Sequence, residues 1–75
     1  MKATVIKKIL TELSTANIGE GNIMVNADGR AYCYNPRQEE SGETWSVDDA
    51  DNILCLELSS GTHWIDCDCV TSIEI

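Results

Sequence analysis

The chain has 75 residues, of which 43% are hydrophobic, and a formal net charge of −8. This length allows one domain with a marginal core, which a metal, a disulfide or a second copy of the chain would supplement. Five basic residues against 13 acidic ones argue against direct binding of DNA or RNA, because phosphate backbones are bound by clustered basic surfaces.

The N-terminal region has the stripe of an amphipathic helix. Its apolar side chains recur at spacings of three and four residues, and they are Val5, Ile6, Ile9, Leu10, Leu13 and Ala16. The pattern predicts one helix over residues 3–16. Asn17 and Gly19 follow as residues that adopt the left-handed conformation at helix ends.

From residue 22 the apolar period changes to two, which indicates β-strands. Strands at about 22–26 and 31–35 flank an Asp-Gly turn at 28–29, a strong hairpin signal because a type I′ turn needs positive φ at both positions. Pairing about this turn sets Val25 opposite Tyr32 on one face of the hairpin.

Residues 36–52 carry weaker signals, and their conformation stays open. The composition predicts a polar loop at 36–44 and an acidic turn at 48–52. Between them lies a short apolar segment with Trp45 and Val47.

The C-terminal part predicts a second hairpin, with strands at 53–58 and 62–68, and a closing strand at 71–75. If Ser60 and Gly61 form the centre of its turn, Leu56 faces Ile65. One face of the hairpin is then apolar and must be the core: Leu54, Leu56, Leu58, Ile65 and Cys67. The opposite face collects Ile53, Cys55, Glu57, Trp64, Asp66 and Asp68. Burial decides this assignment, because a slip by one residue would drive both aspartates into the core. In the closing strand we expect Ile73 and Ile75 to point inward.

The order of the elements predicts an α+β, mainly β domain over residues 1–75, with one N-terminal helix and about five short antiparallel strands. We expect either a small barrel of Sm-like or SH3-like topology or a helix packed on one face of a sheet. This expectation rests on topology alone, and neither fold implies a function.

No apolar run has the length of a membrane span, and Lys7 and Lys8 interrupt the segment where a signal peptide would need apolar residues. We therefore expect a cytoplasmic protein, in the host cytoplasm if a phage encodes it, with no membrane partner.

The four cysteines are Cys33, Cys55, Cys67 and Cys69. We interpret them as reduced core thiols, because small thiols suit a core and no secretory context is expected. Two disulfides and a zinc site remain as alternatives. Zinc is disfavoured because the sequence contains no Cys-x-x-Cys pair.

Catalysis and metal binding have little support in the sequence. The acidic turn 48–52 lacks the central glycine and the distant glutamate of a calcium loop. His63 is the only histidine, so any acid–base pair must include it, and its expected place opposite Leu58 favours a structural role. We predict no catalytic residue, no metal and no cofactor.

Charge is the most informative feature of the sequence. Residues 1–37 have a net charge of +2, whereas residues 38–75 contain no lysine or arginine and ten carboxylates. Uncompensated charge of this size costs stability through self-repulsion and biases the choice of partner towards basic surfaces.

Trp64 lies among several of these carboxylates on the outward face of the second hairpin. An indole stacks on a guanidinium while carboxylates pair with it, so this grouping suits an arginine-rich partner. The predicted partner-binding residues are Glu57, Trp64, Asp66, Asp68, Asp48, Asp49 and Asp51. Alternatively, the helix or the segment around Trp45 covers Trp64, and the charges form an ordinary solubilising face.

The leading hypothesis is a small acidic inhibitor that occupies a basic surface of a nucleic-acid-handling protein, with carboxylates in place of phosphates. Small size and acidity are typical of phage- or mobile-element-encoded inhibitors of host nucleases and CRISPR complexes. This comparison rests on size and charge and not on a sequence motif. The alternative is a homo-oligomeric small β-barrel that binds a small ligand between subunits, since an unpaired strand at 71–75 favours assembly. A purely structural role also stays open.

Overall fold

The computed structural model describes residues 1–16 and 21–75. Helix α1 (Ala3–Ala16) comes first, and the predicted helix stop at Asn17 and Gly19 lies outside the described residues. The elements that follow are β1 (Ile23–Ala27), β2 (Arg30–Tyr34), the short helix α2 (Gln38–Ser41), β3 (Thr44–Asp48), β4 (Ile53–Leu58), β5 (Gly61–Asp66), a 3₁₀ turn (Cys67–Cys69) and β6 (Val70–Glu74).

The six strands form two antiparallel three-stranded sheets, ordered β2-β1-β6 and β3-β4-β5. The predicted α+β, mainly β class is confirmed, with one strand more than expected. The additional strand is β3, where Trp45 and Val47 belong to a regular ladder with β4. The sheets do not close into a barrel, because no strand of one sheet is paired with a strand of the other among the described residues.

Both sheets and α1 contribute to one apolar core. Ile6 and Leu10 of α1 are fully buried, together with residues such as Ile23 of β1 and Leu54 and Leu56 of β4. The helix prediction is confirmed over its full length. Its buried stripe is narrower than expected, because Val5 is 41% exposed. Neither helix of the described residues is long and apolar enough to cross a membrane.

Ser14 connects α1 to both sheets. The indole Nε1 of Trp45 in β3 donates to Ser14 Oγ at 3.3 Å, and Ser14 also interacts with the buried Tyr34 of β2. Burial raises the pKa of Tyr34, the interaction with Ser14 lowers it, and the charge of Glu43 raises it. One serine therefore fixes the helix against a strand from each sheet.

The first hairpin has the predicted register. Val25 pairs with Tyr32 across β1 and β2. Asp28 and Gly29 have φ values of 52° and 77°, as a type I′ turn requires. The strands differ from the predicted bounds by one residue.

The predicted register of the second hairpin is wrong by two residues. Leu56 pairs with His63 and Leu54 with Ile65, so the two-residue loop is Ser59-Ser60. Gly61 is not in the loop but opens β5, where its φ of 131° favours glycine. The predicted faces are nevertheless confirmed, since a shift of two residues preserves the alternation of a strand.

The closing strand is present as β6, and one of its two predicted inward residues is exposed. Val70 is 3% exposed and Ile73 is half-buried against the core. Ile75 follows the last residue of the strand and is 71% exposed, so its expected burial is wrong.

Candidate partner-binding surface

The outward face of the β3-β4-β5 sheet, here called the outer face, is a grid of three cross-strand rows. Its side chains alternate with the buried leucines of β4, because successive residues of a strand point to opposite faces. The rows, read from β3 through β4 to β5, are Thr44–Glu57–Thr62, Ser46–Cys55–Trp64 and Asp48–Ile53–Asp66.

Trp64 lies in the middle row, on the edge strand β5, and is 72% exposed. The expectation that the helix or the Trp45 segment covers it is therefore wrong. Trp45 is on the other face of its strand, half-buried against the core. A hollow of about 400 Å³ beside Trp64 is lined by Ser46, Asp48, Asp51, Ile53, Cys55 and Trp64. The indole thus forms one wall of a recess that also contains two carboxylates.

The acidic turn between β3 and β4 is shaped by its own first residue. Asp48 Oδ1 accepts hydrogen bonds from the N–H groups of Ala50 at 3.0 Å and Asp51 at 3.1 Å. Asn52 completes the turn with a φ of 58°, a conformation that asparagine tolerates well. Asp48 is therefore both an outer-face carboxylate and the residue that positions Asp51.

Asn52 joins this turn to the 3₁₀ turn that follows β5. Its side-chain amide donates to Asp66 Oδ1 at 3.3 Å, and its carbonyl accepts from the N–H of Cys67 at 2.9 Å. Asp66 Oδ1 also accepts from the N–H of Asp68 at 2.9 Å, as a cap of the 3₁₀ turn. The two acidic segments therefore lie at the same end of the sheet.

Three of these carboxylates also act on the ionisation of the Cys67 thiol. Burial raises the pKa of the Cys67 thiol, and the negative charges of Asp66, Asp68 and Asp49 raise it further by disfavouring the thiolate. The α-amino group of Met1 acts in the opposite direction. It donates hydrogen bonds to the carbonyls of Cys67 at 3.0 Å and Val70 at 3.1 Å.

Positive charge does not neutralise the outer face. None of its carboxylates forms an ion pair within 4 Å in the part of the chain that the structure describes, where Arg37 and Glu40 pair at 3.3 Å on the surface. Glu57 instead accepts a hydrogen bond of 2.7 Å from the Thr44 hydroxyl. All seven predicted partner-binding residues thus lie on this sheet or on the two turns at its end, with Glu57 in the row farthest from those turns.

The structure contains an acidic residue of a different kind that the sequence analysis missed. Glu43 is only 7% exposed. It accepts hydrogen bonds from the N–H of Asn35 at 2.7 Å and of Ser59 at 2.8 Å. Burial alone would raise the pKa of Glu43, but these donors outweigh it and lower the pKa. No local pattern distinguishes Glu43 from its exposed neighbours Glu39 and Glu40.

The cysteines and the histidine differ in exposure and in contacts. All four cysteines are free thiols, but only Cys67 is fully buried and two others are exposed, so the interpretation of all four as core residues is wrong. The described residues contain no group of three or more side chains placed to hold a metal ion. His63 packs edge-on against Tyr32, with ring centroids 5.2 Å apart, and its Nε2 hydrogen-bonds the Ser60 hydroxyl at 3.1 Å.

No protein-family profile, curated protein or solved structure matches this chain.

Proposed function

We propose that the chain is a protein-binding inhibitor whose outer face occupies a basic, nucleic-acid-binding surface of a larger partner. The observation that carries this proposal is the exposure of Trp64, 72% of whose surface is open to solvent beside carboxylates that form no ion pair within 4 Å among the described residues. Tryptophan is among the side chains that contribute most to binding energy at protein interfaces.

Stacking and charge pairing would act together on an arginine. A guanidinium placed over the indole of Trp64 gains a cation–π contact, and Asp66, in the neighbouring row of the same face, would accept its N–H groups. Lysine gains less at such a site, because its ammonium group cannot form a planar bidentate pair.

The net charge of −8 adds a long-range contribution. Attraction between an acidic and a basic surface raises the association rate and weakens as salt is added, because the screening length is about 8 Å at physiological ionic strength. Carboxylates in the positions of phosphates would then exclude nucleic acid from the same surface of the partner.

The test is affinity capture from a lysate at low salt with four immobilised proteins. Three of them are the wild type, the Trp64→Ala variant, and the Asp49→Asn, Asp68→Asn double variant. A charge-matched control, Glu12→Gln with Glu39→Gln, removes two exposed carboxylates from the helices instead. We expect the wild type and the control to retain a basic nucleic-acid-binding protein that elutes as salt rises. We expect Trp64→Ala and the Asp49→Asn, Asp68→Asn double variant to lose it.

Competition completes the test. The captured protein should lose its nucleic-acid ligand when the wild-type chain is added and keep it when Trp64→Ala is added. Equal capture by the wild type and Trp64→Ala would disprove the role of the outer face.

Assembly of identical chains around a small ligand is the second candidate function. It is favoured by the exposure of Ile75, which is 71% exposed next to the edge strand β6. Light scattering across a range of salt concentrations distinguishes the two candidates. A ring of subunits would show a defined multiple of the 8.3 kDa chain mass that salt does not change.

A further inference from the structure

Strand β5 is an open edge of its sheet. It pairs with β4 on one side, and no strand of the described residues pairs with its other side. Each residue of an antiparallel strand directs its N–H and C=O to a single neighbour, and successive residues alternate. Leu58 and Gly61 flank the two-residue loop, so they direct these groups towards each other. Thr62, Trp64 and Asp66 therefore direct theirs away from β4, to the open edge.

The other three edge strands are less suited to receive a partner. Strand β3 lies against α1. Strand β6 has an irregular register where it passes Asn26 and Ala27. By the same alternation β2 offers only Ala31 and Cys33, because the carboxylate of Glu43 binds the N–H of Asn35 immediately beyond them. Strand β5 contains no proline, lysine or bulge of the kind that protects natural edges.

We propose that β5 accepts an extended segment of the partner as an additional antiparallel strand, with arginine at alternate positions. This inference rests on the proposed function and specifies how the partner binds. A partner residue directly opposite Trp64 exchanges main-chain hydrogen bonds with it and projects its side chain over the outer face, about 4.5–5.5 Å away at Cβ. An arginine there would reach both the indole and Asp66.

The intervening residues of the partner would point to the core face, and this limits their size. They would lie beside His63, which is half-buried, and Ile65, which is 7% exposed. Small or β-branched residues fit this position. The segment that fits is therefore an arginine ladder with a period of two, which binds through its main chain and through its charges.

The experiment uses synthetic peptides in which arginine alternates with threonine, added to the full chain. We expect the amide protons of Thr62 and Trp64 to exchange more slowly with solvent when peptide is bound. The effect is about 100-fold at a free peptide concentration of about 100 Kd, since exchange then requires dissociation. The amides of His63 and Ile65 already bond to β4 and should change little.

N-methylated peptides supply the matched control. The arginine N–H groups face β5 in this geometry, whereas the threonine N–H groups face away. Methylation at the arginines should therefore weaken binding at least about tenfold, and methylation at the threonines should not.

Two results separate this inference from the proposed function. If the peptide binds in a Trp64-dependent way but both methylated forms bind equally and Thr62 exchange is unchanged, strand addition is wrong and the acidic binding face stands. If the peptide does not bind at all, strand addition is also wrong. The capture experiment with Trp64→Ala then decides separately whether the proposed function stands.

Discussion

Replacing Glu43 by glutamine should destabilise the domain more than any other removal of one carboxylate. The two oxygens of Glu43 accept the N–H groups of Asn35 and Ser59, which tie the end of β2 to the β4–β5 loop. A glutamine keeps one acceptor oxygen and turns an NH₂ group towards the other donor. The arrangement then cannot satisfy both backbone groups.

The size of the effect follows from these two bonds. One half-buried N–H loses its acceptor, which costs about 1–3 kcal/mol, and the remaining bond loses its charge assistance, which costs about 1 kcal/mol more. A loss of about 2–4 kcal/mol is large beside the total of about 4–11 kcal/mol expected for a domain of 75 residues. In thermal unfolding it corresponds to a fall in Tm of at least about 8 °C.

The effect should also depend on pH in a defined direction. The pKa of Glu43 is lowered in the folded state, so its carboxylate stabilises the fold above the ordinary glutamate pKa. That contribution is lost as the pH falls through the folded-state pKa. The difference in unfolding free energy between wild type and Glu43→Gln should therefore be largest at neutral pH and shrink on acidification below the ordinary value.

Urea denaturation followed by circular dichroism, under reducing conditions and at several pH values, measures this difference. The control is Glu39→Gln, an exposed residue of α2, which should change stability by less than about 0.5 kcal/mol. If Glu43→Gln is as stable as this control, or if its deficit does not change with pH, the carboxylate does not hold the two segments together.

Three further predictions concern the outer face and its surroundings. Trp64→Ala should change the unfolding free energy by less than about 0.5 kcal/mol. Trp45→Ala should lower it by about 1–3 kcal/mol, because Trp45 packs against the core and hydrogen-bonds α1. Equal losses of stability in urea titrations of the two variants would contradict the assigned exposures. In the native protein Cys67 should resist alkylation by N-ethylmaleimide while the exposed thiols react, because the Cys67 thiol is buried and its pKa is raised. Mass spectrometry of protein labelled with and without urea detects the difference. Rapid labelling of Cys67 in the native protein would refute the prediction. Asp66→Ala should lower the unfolding free energy by about 0.5–2 kcal/mol, because it removes the cap of the 3₁₀ turn, whereas Asp68→Ala should lower it little. A lower urea midpoint for Asp68→Ala than for Asp66→Ala would show that Asp66 is not the cap.

The hairpins illustrate which features local chemistry specifies. The Asp28-Gly29 turn was predictable because positive φ at two successive positions is a requirement that few residue pairs satisfy. Around Ser60 the signal was ambiguous, since Gly61 can enter the loop or begin the strand. The inward and outward faces of the second hairpin were still correct, because a shift of two residues preserves them.

Strand β3 and the buried position of Glu43 could not be predicted from the local sequence. Trp45 and Val47 alternate with polar residues over too few positions to identify a strand without its partner β4. Glu43 has the same sequence surroundings as Glu39 and Glu40, and only the approach of Ser59 from the β4–β5 loop gives it a buried, two-donor site. The local sequence around either residue does not indicate a contact between positions 16 residues apart.

By itself the sequence determined the helix, the presence of the two hairpins, the inward and outward faces of the second hairpin, and the strong excess of negative charge in the second half of the chain. These features depend on periodicity, turn chemistry and composition, which act over a few residues. Only the tertiary structure decided that six strands divide into two sheets, that α1 leaves Trp64 uncovered, and that β5 lies at an open edge with carboxylates from two turns at one end. These features depend on which distant segments pack together, because burial of the shared core selects one arrangement among several that satisfy the same local pattern.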